Sequence, residues 1–106
     1  MKELIRDVKI LAGEEATRSM IKHPFFNSTH EGYAVIKEEI EETEEELKFV
    51  NIQLNIVWAY IKGNRNENVR VHMKSLKTSA INLAAEAIQV AAMAQKFIDS
   101  FKEVEE

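Results

Sequence analysis

From Tyr33 onward, apolar positions return in steps of three and four: Tyr33, Ile36, Ile40, Thr43 as a tolerated polar member, Leu47, Val50, Leu54, Val57 and Ile61. Such spacing is a heptad seam on one face of a long helix. After Gly63-Asn64-Arg65-Asn66 the same period resumes at Val69, Met73, Leu76, Ala80, Leu83, Ala87, Val90, Ala94, Phe97 and Phe101. Gly63 suits a left-handed residue just past a helix end, and Asn66 or Asn68 suits the cap of the next helix, so a tight reversal is expected there. Folded at that turn, Ile61 pairs with Val69, Leu47 with Leu83, Val50 with Ala80 and Tyr33 with Phe97. Nine seam layers match, all with numbers adding to 130. The pattern predicts an all-α fold: a long antiparallel helical hairpin, its second helix running to about Lys62 and its third from roughly Glu67 to Lys102, with Glu103–Glu106 fraying.

A shorter N-terminal helix is predicted over about Lys2–Lys22, with Leu4, Ile5, Val8, Leu11, Ala12, Ala16 and Met20 on an imperfect apolar face weakened by Gly13 and ended by Pro24. His23-Pro24-Phe25-Phe26-Asn27 reads as a packed corner. Ser28-Thr29-His30-Glu31 reads as a capping box opening the second helix, Ser28 capping and Glu31 returning to its backbone. Ile81, Ala84, Ala85, Ile88, Ala91, Ala92, Met93 and Ile98 widen the third helix's apolar surface, and Ile52, Ile56, Trp58 and Tyr60 lie off the seam of the second. This surface exceeds what three helices can bury, so a homodimer or higher homo-oligomer forming a helical bundle is expected.

At 106 residues and 45% hydrophobic, the chain is expected to be one domain over 1–106 with a modest core. The absence of cysteine excludes disulfides and thiolate metal sites and is compatible with a reducing cytoplasm. The most apolar stretch, Leu83 to Ala94, is too short for a bilayer and is interrupted by Glu86 and Gln89, so no membrane association is expected. A net charge of -4 argues against nucleic-acid binding and favours cations.

The acids are concentrated. Eight lie between Glu31 and Glu46, opposed only by Lys37, and Glu86 is the one acid between Glu67 and Asp99, set in an apolar segment. A solvated face would explain the run by itself. The hairpin, however, brings Glu86 and Gln89 to the height of Glu41–Glu44, within about one turn of Glu38, Glu39 and Glu42. Carboxylates there, with no histidine or cysteine among them, suit Mg2+ or Mn2+ better than zinc. Phosphoanhydride hydrolysis is the reaction class such ions fit. The basic group Lys62, Arg65, Arg70, Lys74 and Lys77 lies at least about four turns away along the helices, poorly placed to clamp a triphosphate there.

Glu-Glu-x-x-Glu at 38, 39 and 42, followed by Glu-x-x-Gln at 86 and 89, resembles the MazG-like all-alpha nucleoside triphosphate pyrophosphohydrolases. The stretches Ser28–Ile36 and Glu86–Ala94 are most similar to small phage or prophage members, and the resemblance covers about residues 26 to 101. It implies a cytoplasmic hydrolase that takes a nucleoside triphosphate to the monophosphate and pyrophosphate. It also implies Mg2+ ligands at Glu38, Glu39, Glu42 and Glu86, an auxiliary oxygen at Gln89, and catalytic roles for Glu39 and Glu42. The family pattern carries aspartate where this chain has Gln89, which lowers the charge of the site by one. A non-catalytic helical module that dimerises and binds a partner is the alternative. His30, in the first turn of the second helix, is a candidate for substrate contact or for a structural role. His23 and His72 form no metal-ligand pair, and Phe25, Phe26, Trp58 and Tyr60 are expected in the core.

Overall fold

A computed structural model describes residues Met1–Lys102; the fraying expected at Glu103–Glu106 falls outside the described residues. The order is α1 (Lys2–Lys22), α2 (Thr29–Lys62), a 3-10 turn (Asn66–Asn68) and α3 (Val69–Ser100), with no strand among the described residues. The fold class is all-α. Packing divides the chain into two compact units, Met1–Ile40 with the chain from Glu86 onward, and Glu41–Ala85.

In the first unit, α1 continues through Gly13, whose carbonyl accepts a 3.0 Å hydrogen bond from the Thr17 hydroxyl. It ends where Pro24 dictates. His23 is extended (φ -139, ψ 100), as a residue before proline must be, while its N–H still donates to Ser19 O at 2.8 Å. The corner is half packed. Phe26 is buried, donates its N–H to Ser100 Oγ at 3.0 Å and tilts against Phe97 with centroids 6.4 Å apart, whereas Phe25 is exposed, contrary to expectation. Ser28 caps α2 by accepting the Glu31 N–H at 3.1 Å. The return arm reaches one residue further than a standard box: Glu31 accepts from the N–H and the side-chain amide of Asn27, both at 3.2 Å. Ala16, Phe26, Ala92 and Met93 form the core, with Val35, Ile36, Phe97 and Phe101 packed on it.

In the second unit, α2 ends in a Schellman turn, Arg65 N–H reaching Tyr60 O at 2.9 Å and Asn64 N–H reaching Ile61 O at 3.1 Å. The left-handed residue is Asn64 (φ 53), not Gly63. The 3-10 turn that follows has no side-chain cap bond at Arg65. α3 then returns along α2: His72 Nδ1–H donates to Gln53 Oε1 at 3.1 Å, and its ring stacks on Tyr60 at 5.3 Å. Val57, 2% exposed, is the buried hydrophobic residue of this unit among those described.

The inward face of α2 differs from the expected seam in alternate positions. Ile36, Thr43, Val50 and Val57 turn inward as expected, but they are joined by Gly32, Glu39, Glu46, Gln53 and Tyr60. Tyr33, Ile40, Leu47, Leu54 and Ile61, one residue on, are exposed. On α3, likewise, His72 and Glu86 turn inward where Met73 and Ala87 were expected. A column at every seventh residue has two flanks, each completing a heptad pattern. Intrachain packing uses the polar flank and leaves the apolar flank of α2 outside.

Candidate metal centre

Glu39 and Glu42 stand three residues apart on α2, a spacing that superposes side chains on one helix face. Glu86 comes from α3, in the same unit as Glu39. Each offers a carboxylate oxygen, and the three oxygens lie within 4.8 Å of one another. Glu39 and Glu86 are half-buried and Glu42 is exposed, so the group has a covered side and an open side. Glu39 is held inward because position 39 belongs to the inward flank; Glu86 is held inward for the same reason on α3.

The donor set fits a hard dication. Oxygens around magnesium stand at most about 4.2 Å apart, twice the metal–oxygen length, so the observed spread closes with small side-chain rotations. Three carboxylates and no nitrogen or sulfur ligand match magnesium or manganese in softness. The group of three acids can therefore hold such an ion.

The other two expected ligands differ in their engagement. Glu38, a residue before Glu39 and so about 100° around the helix, is exposed and outside the group. Gln89 is half-buried, and its amide Nε2–H donates to Glu15 Oε1 at 2.8 Å. Glu15, on α1, is the residue whose part was missed: it also takes Arg18 at 2.8 Å and so links α1 to α3 through Gln89. No local pattern marks it, because the link exists only once α1 has docked. His30 is exposed in the first turn of α2. His72 is engaged by Gln53 and Tyr60 as described. Trp58, expected in the core, is 55% exposed with Lys62 Nζ 5.6 Å above its ring.

A second feature of the first unit is Lys96. It is 4% exposed, donates to Ser19 Oγ at 3.2 Å and lies 4.7 Å from the Phe26 ring centroid. It borders a cleft of about 610 Å³ beside His23, Phe25, Asn27 and Glu31. No helix among the described residues is long and apolar enough to cross a membrane. Comparison with family profiles, with curated proteins and with solved structures finds no match in any of the three.

Proposed function

We propose that the chain is a magnesium-dependent, MazG-like nucleoside triphosphate pyrophosphohydrolase that acts as a homodimer. The observation that carries this reading is the convergence of Glu39, Glu42 and Glu86 to within 4.8 Å. Like charges a turn apart repel by a few tenths of a kcal/mol per pair, and a bound dication would reverse the sign of that cost. Mg2+, or Mn2+ in its place, would supply charge neutralisation at phosphate oxygens and make water easier to deprotonate. Glu39, Glu42 and Glu86 would hold the ion. Glu42, the exposed member, is the one open to solvent, and it would accept the proton as water adds to the α phosphorus and pyrophosphate leaves.

The experiment is pyrophosphate release from a panel of nucleoside triphosphates with and without magnesium, run beside a thermal melt. If the reading holds, magnesium at about ten to one hundred times its Kd raises stability by roughly 1 to 3 kcal/mol. Glu86→Gln abolishes both that gain and turnover. Equal melting temperatures with and without magnesium, and no release from any nucleotide, would sink it.

A second reading, a non-catalytic dimerising module, is favoured by a separate observation: Glu38 lies outside the acid group and Gln89 donates its amide N–H to Glu15, while a long apolar flank of α2 is exposed. It expects magnesium to stabilise the fold without any turnover.

A further inference from the structure

The exposed flank of α2 forms a row of its own. Reading outward positions from Ile40 in steps of four and three gives Ile40, Glu44, Leu47, Asn51, Leu54, Trp58 and Ile61, all exposed. Leu47, Leu54 and Trp58 are each about half exposed, at 47%, 50% and 55%. The row is close to a palindrome about Asn51: apolar ends at Ile40 and Ile61, a Leu on either side of the centre, and a polar centre. An isologous two-fold interface requires such a surface, because each residue must find its partner at the mirrored position.

We infer that this row is the homodimer interface, two α2 helices packing antiparallel with Asn51 on the two-fold axis. The inference rests on the dimer reading above and names its surface and register. With Asn51 on the axis, Asn51 meets itself and Glu44 meets the partner's Trp58, while Leu47 and Ile40 fall one residue, about 1.5 Å of rise, from the partner's Leu54 and the partner's Ile61. An Asn flanked by Leu47 and Leu54 fixes register, because any slip sets its amide against a methyl group.

Charge decides the direction. The Ile40 end carries Glu41, Glu44 and Glu45, and the Ile61 end carries Lys62, Arg65, Arg70 and Lys74. A groove of about 770 Å³ opens at the Ile61 end, floored by Val69, Met73 and Leu76 and edged by the cations Arg70 and Lys74. Antiparallel packing lays the acidic end of each copy on the basic end of the other, and Glu44 arrives beside the Lys62 that covers Trp58. Parallel packing would set acid against acid and base against base.

Cysteine cross-linking tests the register on a chain that has no cysteine of its own. Asn51→Cys should oxidise to a self-linked dimer. A mixture of Ile40→Cys and Ile61→Cys chains should link at least tenfold faster than Ile40→Cys alone, whose two sulfurs stand about 31 Å apart at 1.5 Å per residue. Leu47→Glu with Leu54→Glu should give a monomer by light scattering with unchanged helical circular dichroism. In the parent, Trp58 emission should move to the red on dilution. A dimer that survives Leu47→Glu with Leu54→Glu, or rapid self-linking of Ile40→Cys, overturns this surface or register while leaving dimerisation standing. A parent chain monomeric throughout the micromolar range overturns both.

Discussion

Gly32 sits where a side chain has no room. A Cβ built on it would meet Phe97 Cδ2 at 2.5 Å and Cε2 at 2.8 Å, and the Phe26 ring at 3.1 Å. Phe97 is wedged between Phe26 and Phe101, with the latter centroid 5.0 Å away, so it has little freedom to withdraw. Gly32→Ala is expected to lose about 1–3 kcal/mol in chemical denaturation despite the better helix propensity of alanine, as overpacking costs more than propensity returns. At Lys96 the sign depends on what replaces it. Lys96→Met keeps the aliphatic stem and relieves the burial of a charge, so its stability should stay within about 1.5 kcal/mol of the parent. Lys96→Ala vacates the space between Ser19 and Phe26 and should cost about 2–4 kcal/mol in the same measurement. Equal losses for the two variants would show that the ammonium, and not the stem, holds this corner together.

At the scale of helices, the ends were legible and the inward face only half so. Pro24, the Ser28–Glu31 pair and the apolar run to Ile61 mark boundaries by local chemistry, and α1 and α2 start and stop where those signals lie. The column Ile36, Thr43, Val50 and Val57 was legible for the same reason. Which flank completes it was not, since Ile40–Leu47–Leu54–Ile61 is the more apolar choice and packing takes Glu39–Glu46–Gln53–Tyr60. That outcome brings Glu39 and Glu86 inward, so the acid group depends on the feature the periodicity could not reveal. The Glu15–Gln89 bond was hidden for another reason, its partners being 74 residues apart. At the Schellman turn, Asn64 rather than Gly63 bears the positive φ. Asn64→Gly should therefore stabilise modestly, and Asn64→Ala should cost about 1 kcal/mol, read as shifts in the melting temperature. Gly63→Ala, at a residue without positive φ and with room for a Cβ, should not carry that cost.

Over the whole molecule, burial is unevenly shared. Ala16, Phe26, Ala92, Met93 and Lys96 belong to the first unit, and Val57 represents the second among the described buried residues. A unit with one buried apolar residue among those described is expected to open its backbone hydrogen bonds more readily than the first unit. Amide exchange within 41–85 should accordingly be fast in dilute solution and slow as concentration rises, if a second copy covers α2. Exchange of α1 and of α3 beyond Glu86 should change little over the same range. Protection of 41–85 that is independent of concentration would assign its stability to the single chain. The tie between Gln89 and Glu15 bears on the same first unit in a different way. Position 89 has two possible employers: an amide there secures α1, and an acid there would serve a cation. Gln89→Asp alone would set a carboxylate against Glu15, so it should loosen α1 even where it strengthens the metal. Glu15→Gln in the same chain should restore the dock, an amide on one side answering an acid on the other. The two positions thus act as a lock whose polarity can be reversed only by changing both halves together.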